Sequence, residues 1–282
     1  MSHQTYQLTA TDGLKLFAQA WLTEMRPKAL VLLLHGIGEH SSRYAHVGKA
    51  FSQAGLNLFT FDRRGHGRSG GRRGYTTSDR QLMEDITLCL EHACRIAGND
   101  MPAFIYGHSL GGVEALYYGL TCEPSVSGFI VSSPALDLSS VSKKQLILVN
   151  LLSPIVPKLQ ITTGLKGQPI FTRDPAVSAA GTADPLNLSK TTLGMGKFLI
   201  DAVNTIMQNA SSWHYPMLIM HSSSDLAVNI QATEQFVNEV SYPITYKRWE
   251  GLYHELHNEP EKEEVFRTIF DWIHTQIPPD GY

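Results

Sequence analysis

Gly107-His108-Ser109-Leu110-Gly111 sets a serine between two glycines, directly after the apolar run AFIYGH (103–108) and directly before a helix-like segment opened by small residues. A hydroxyl on a sharp strand-to-helix turn can attack a carbonyl carbon, and flanking glycines let the neighbouring backbone approach without a Cβ clash. The helix N-terminus behind it offers free N–H groups and the positive end of its dipole to an anionic intermediate. A second match to the pattern, Gly67-Arg68-Ser69-Gly70-Gly71, lacks that setting: it follows two arginines and precedes RRGYTT. Ser69 therefore reads as a loop residue.

A serine hydroxyl is a poor nucleophile without a base. MLIMHSSSD (217–225) puts Asp225 just past one apolar run, and ITYKRWEGLYHELHNEP (244–260) puts His254 just past the next. Serine, then acid, then histidine, each on a loop after a strand, is the order such a sheet uses. His257 competes with His254, but His254 is nearer the strand end and follows the tight-looking Gly251-Leu252-Tyr253. Asp137, after the strand that follows Ser109, is the rival acid, whereas Asp62 precedes the serine and has the wrong order. The expected roles are attack on an acyl carbonyl by Ser109, proton transfer by His254, and orientation of the imidazole by Asp225. The backbone N–H of Leu110, next after the nucleophile, is expected to stabilise the oxyanion together with an N–H from the loop after an earlier strand.

These residues need a scaffold, and the chain supplies a repeating one. A hairpin is expected at the start, where Thr11-Asp12-Gly13 joins TYQLTA to LKLFAQAWL. ALVLLLHG (29–36), LNLFTFD (56–62), AFIYGHS (103–109), GFIVSSP (128–134), MLIMHSSSD and ITYKRWE (244–250) read as strands covered on both faces. Helices are expected over 78–97, 111–122, 231–240 and 260–276, which makes an α/β chain with a mostly parallel sheet between helices. Residues 137–212 break the alternation with the serine-rich SSVSKK, the apolar LILVNLLSPIVP (146–157), a turn-rich stretch from Gly164 to Gly181 and a helical run, GMGKFLIDAVNTIMQNA. An insertion of that length between strands reads as a functional lid. The expected division is a catalytic core of 1–136 and 213–282 with a cap of 137–212.

Composition removes other classes. The 282 residues carry a net charge of −3, so there is no basic footprint for nucleic acid. Three cysteines, Cys89, Cys94 and Cys122, cannot build a disulfide framework and form no C-x-x-C pair. The pair His254 and His257 is not the H-E-x-x-H zinc pattern, and GHGRSGG is not a nucleotide fingerprint, so neither metal nor cofactor is expected. The N-terminus lacks a signal peptide, and the apolar runs fall short of the ~20 residues a bilayer span needs. A cytoplasmic chain, peripheral at a membrane at most, is the expectation.

HGIGEHSSRY (35–44), FDRRGHGRSGG (61–71), YGHSLGG (106–112), SSSD (222–225) and LYHELHNEP (252–260) together resemble the monoacylglycerol lipase and lysophospholipase branch of the α/β-hydrolase superfamily. The resemblance touches nearly the whole chain outside 137–212. It implies an α/β-hydrolase fold with an inserted helical cap that receives a lipid chain. It assigns Ser109, Asp225 and His254 to the triad, in agreement with their positions, and the second oxyanion N–H to Ile37. The function implied is hydrolysis of single-chain lipid esters, monoacylglycerol first, through an acyl-enzyme. Lysophospholipase, short-chain carboxylesterase and serine aminopeptidase are alternatives that keep the machinery; a non-catalytic binding protein on the same fold is another. Arg63, Arg64, Arg68, Arg72 and Arg73 would either form a solvated loop paired with acidic neighbours or serve a phosphate head group, and Glu39 would serve a substrate amine. Residues 146–157 are expected to line an acyl tunnel and touch a membrane surface transiently, or to pack as an ordinary cap helix.

Overall fold

The computed structural model describes residues 1–76, 78–139, 143–163 and 168–277. Part of the serine-rich stretch and the start of the turn-rich stretch at Gly164 lie outside the described residues. The expected hairpin is β1 (Ser2–Thr9) paired antiparallel with β2 (Lys15–Leu22), and Gly13 takes the positive φ of 83° that its turn requires. β3 (Ala29–Leu34) follows, then α1 (Ala45–Gln53), β4 (Leu56–Phe61), α2 (Asp79–Ala97), β5 (Ala103–His108), α3 (Leu110–Cys122) and β6 (Gly128–Ser132). After the insertion come β9 (Met217–Ser222), α7 (Ile230–Glu239), β10 (Thr245–Trp249) and α8 (Lys262–Gln276).

Among the described residues these strands form one eight-stranded sheet in the order β1-β2-β4-β3-β5-β6-β9-β10. β2 runs antiparallel to β1 and β4, and from β4 to β10 every pairing is parallel. β3 shows why its run is almost wholly apolar. Leu30, Leu32 and Leu34 enter the core on one face of the sheet, while Ala29, Val31 and Leu33 enter the core on the other. β10 departs from the expected pattern, because it is the sheet edge and Thr245, Lys247 and Arg248 are exposed. Charged side chains there discourage edge-to-edge pairing. α2 buries Leu82, Ile86, Leu90 and Ala93 along one stripe, and the Ser78 hydroxyl caps it by accepting from Gln81 N–H at 3.2 Å. Such a cap contributes about 1 kcal/mol.

The inserted segment holds α4 (Lys143–Leu152), β7 (Gln160–Thr162), α5 (Pro175–Ala183), β8 (Lys190–Thr192) and α6 (Leu193–Gln208), with β7 and β8 paired antiparallel. α6 lies against α3, where Phe198 and Tyr117 meet edge to face at 5.9 Å. Its Met195, Phe198, Ala202, Val203 and Ile206 extend the main core, whereas Val149 of α4 makes a small separate cluster with Leu193 and Ile200. The segment thus rests on the helix that follows Ser109. Among the described residues, no helix is long and apolar enough to cross a membrane.

Candidate active site

Ser109 stands between β5 and α3 with φ 55° and ψ −117°, a conformation that non-glycine residues rarely adopt. Strain of this kind costs of order 1–3 kcal/mol and persists only where surroundings enforce it. Here Ser109 N–H donates to Ser132 O at 3.0 Å and Ala135 N–H donates to Ser109 O at 3.2 Å. The flanking glycines are steric necessities: a Cβ at Gly107 would stand 2.2 Å from Gly111 O, and one at Gly111 would stand 2.1 Å from Leu34 O. As the first residue of α3, Leu110 carries one of the N–H groups that a helix leaves without an intrahelical partner.

Asp225 and His254 meet. His254 Nδ1 lies 2.7 Å from Asp225 Oδ2, and both residues are buried. A carboxylate can only accept, so Nδ1 carries the proton and Nε2 is left as the basic nitrogen. The other oxygen, Oδ1, accepts from Ala227 N–H at 2.8 Å and Val228 N–H at 2.9 Å. Burial would raise the Asp225 carboxyl, but the charge of His254 and the hydrogen bonds from His221 and His254 outweigh it and hold the carboxyl well below the usual range. Burial likewise lowers the His254 imidazole, yet the Asp225 carboxylate more than offsets this and leaves it above its ordinary value. The His254 ring sits 4.9 Å from that of His108, the residue before Ser109. Burial, followed by the charge of His254, pushes His108 down to about 3, so it stays neutral.

The rivals have other employment. His257 stacks on Tyr44 at 4.7 Å, and burial drives its pKa well below the ordinary value. Asp137 accepts from Ser139 N–H in its own loop. Asp62 accepts from Ser41 N–H and Arg68 N–H, and Ser69 donates to Asp62 O while accepting from Phe17 N–H.

The loop after β3 closes over the elbow. A Cβ at Gly36 would lie 3.3 Å from the Cβ of Ser109, which brings the half-buried Ile37 next to the candidate nucleophile. Glu39 Oε1 fixes this loop by accepting from Gly36 N–H and Tyr44 O–H, both at 2.6 Å. Arg43 then bridges Glu39, at 2.9 Å, to Glu255, the neighbour of His254. Arg63 supports the same loop from below, donating to His35 O at 2.6 Å and Gly36 O at 3.2 Å while pairing through two bonds with buried Glu114.

The inserted segment touches both loops. Leu188 N–H donates to Gly38 O, and Glu255 N–H donates to Phe171 O, each at 2.7 Å. Asp184 pairs with His40 at 2.8 Å, and Thr192 O–H donates to Gly74 O at 2.8 Å. Three of the five loop arginines are committed internally: Arg64 is buried against Asp85 and Asp12, Arg63 against Glu114, and Arg73 donates to Gly67 O at 2.9 Å and Leu186 O at 3.3 Å. α4 is two-faced: Val149 packs inward, but Ile147, Leu148 and Leu151 are 60%, 53% and 65% exposed, and Ile155 beyond it is 76% exposed. A groove of about 490 Å³ between α2 and α3, lined by Asp79, Met83, Glu91, Tyr117 and Cys122 among others, lies away from Ser109 and gathers no nucleophile with a base.

Sequence reasoning passes over His221, whose Nε2 also reaches Asp225, and over the Glu39–Arg43–Glu255 bridge. The signal for His221 is a histidine four residues before Asp225 at the end of an apolar run. The bridge has no local signal, because Arg43 and Glu255 are 212 residues apart.

Residues 25–261 match the family described as serine aminopeptidase, S33. A monoacylglycerol lipase of Mycolicibacterium smegmatis is 31% identical over 95% of this chain and 96% of its own. An uncharacterized abhydrolase domain-containing protein of Dictyostelium discoideum is 35% identical over 98% of this chain, which spans only 30% of that longer protein. The crystal structure of Paleococcus ferrophilus monoacylglycerol lipase superposes with a TM-score of 0.84 at 28% identity, covering 93% of this chain and 99% of that one.

Proposed function

The chain belongs to the serine aminopeptidase S33 family of α/β hydrolases, and from that premise we propose that it hydrolyses carboxylic esters of single-chain lipids, monoacylglycerols first. The observation that carries this reading is the 2.7 Å bond from His254 to Asp225, with the His254 ring 4.9 Å from that of His108, the neighbour of the strained Ser109. Ser109 Oγ attacks the acyl carbonyl while His254 Nε2 takes its proton. The oxyanion that forms is met by the N–H groups of Ile37 and Leu110, each donor of this kind contributing about 3–4 kcal/mol to the transition state. The carbonyl re-forms, the bond to the alcohol breaks, and His254 returns the proton to the departing glycerol oxygen. Water then attacks the acyl-enzyme by the same route, giving fatty acid and free Ser109.

An ester is favoured over a peptide because Glu39, the residue that would hold a substrate amine, is already shared among Gly36 N–H, Tyr44 O–H and Arg43. A phosphate head group would have to be met by Arg68 or Arg72, which are exposed, since Arg63 and Arg64 are buried in ion pairs. Residues 137–212 act as the cap. Its exposed Ile147, Leu148, Leu151 and Ile155, with Lys144 and Lys158 exposed nearby, suit a transient contact with a lipid surface that delivers substrate.

The test is fatty-acid release from a panel of monoacylglycerols and lysophospholipids, run beside fluorophosphonate labelling. Ser109→Ala should abolish labelling and lower kcat by about 10⁴–10⁶. Labelling that persists in that variant would overturn the assignment of Ser109.

A further inference from the structure

The carboxylate of Asp225 receives a second imidazole. His221, within β9, lies four residues earlier, and its Nε2 is 3.0 Å from Asp225 Oδ2, the oxygen that also accepts from His254. The same nitrogen faces Val228 O at 3.3 Å. Two acceptors at one ring nitrogen require a proton on it, so Nε2–H is the donor. Nδ1 is 2.8 Å from Thr233 Oγ1 on α7, and in the neutral ring the Thr233 hydroxyl donates to it. His221 and Thr233 are both wholly buried, so water does not compete for these bonds.

We propose that His221 is a positioning residue: with Thr233 behind it, it fixes the direction of Asp225 Oδ2 and moderates the pull of that oxygen on His254. The inference rests on the reading of Ser109, Asp225 and His254 as a triad. Oδ1 is anchored by two N–H groups, and Oδ2 by one imidazole on each side, so the carboxylate has no free rotation. An oxygen shared by two donors binds each less strongly than it would bind one alone. Removing His221 therefore tightens the grip of Asp225 on the protonated form of His254 while loosening its aim. Glu255, Glu39, His108 and His257 also face His254, and Arg43 faces this group of residues. None of them is altered by the substitutions below.

The experiment compares kcat/KM against pH and thermal stability for the wild type, His221→Gln, His221→Leu and Thr233→Val. Glutamine keeps an N–H within reach of Oδ2; leucine does not. His221→Leu should lower kcat about tenfold, the size of one lost hydrogen bond to a charged group, and move the acid limb up by about half a pH unit. His221→Gln should restore most of both, and Thr233→Val should fall between. If leucine prevents folding, Thr233→Val carries the same readout, because it releases the ring. An acid limb that stays at its wild-type position in every variant overturns the role of His221, as does a glutamine variant no better than leucine at equal stability. A wild type inert toward every ester overturns the triad reading itself, whereas an active wild type with unmoved variants removes only the role of His221.

Discussion

Arg43 donates to both oxygens of Glu255, at 3.1 and 3.0 Å, and so ties the loop that carries Ile37 to the loop that carries His254. The pair is largely buried, and the same guanidinium also holds Glu39. Burial would lower the Arg43 pKa, but the two carboxylates raise it, so the guanidinium is charged throughout the working range. Removing one partner leaves buried charge unpaired. Arg43→Met should destabilise the chain by about 3–5 kcal/mol in urea denaturation and should reduce ester hydrolysis in the fraction that remains folded. Arg43→Lys should rescue little, because a point charge cannot reproduce the two-pronged contact. Wild-type stability in the methionine variant would show that the bridge is dispensable.

The pH profile follows from His254. Its raised pKa means that the neutral, proton-accepting form fills only above the ordinary histidine value of about 6.5. Activity should therefore be low in acid and rise through a limb centred above that value. Asp225, held well below the usual carboxylate range, stays ionised across this window and adds no second step. Measuring kcat/KM from pH 5 to 9 checks this; a limb centred near 5 would contradict it.

The oxyanion role proposed for Ile37 can be separated from its side chain. Ile37 and Gly38 form a turn, with Gly38 at φ 72°, the setting in which a type II turn accepts proline one position earlier. Ile37→Pro should fold, delete one N–H, and lower kcat by about 10²–10³. Ile37→Ala should leave kcat nearer the wild type and affect KM. Equal kcat for the two variants would remove the N–H from the mechanism.

The exposed stripe on α4 makes a separate claim. Leu148→Glu combined with Leu151→Glu should reduce flotation with phospholipid vesicles and slow hydrolysis of vesicle-borne monoacylglycerol. Turnover of a water-soluble short ester should be unchanged, because both side chains point to solvent. Undiminished flotation would assign the stripe another purpose.

What is legible in the amino-acid order is what local geometry dictates. The elbow at Ser109 needs its glycines in place, and β3 needs apolar residues at every position, so each leaves an unbroken pattern. Asp225 and His254 are readable because each follows a strand end, and the fold then brings them into contact. β10 is misread as a covered strand, because Thr245, Lys247 and Arg248 show their meaning only once the strand is known to be at the edge. Pairing of the 63–73 arginines with acidic residues is one of the two readings their spacing allows, but that Arg63 finds Glu114 and Arg64 finds Asp85 is something only the folded chain supplies. His221 is overlooked for the opposite reason: it is so near Asp225 in the chain that it looks like part of the strand.

The bonds from Leu188 to Gly38 and from Glu255 to Phe171 join main chain to main chain. Such bonds are indifferent to side-chain identity, provided that neither donor becomes proline. The side chains of Leu188 and Phe171 can thus be exchanged over evolutionary time while these two bonds to the loops persist. In the proposed cap, acyl selectivity can therefore drift at these two positions without moving the loops that carry Ile37 and His254.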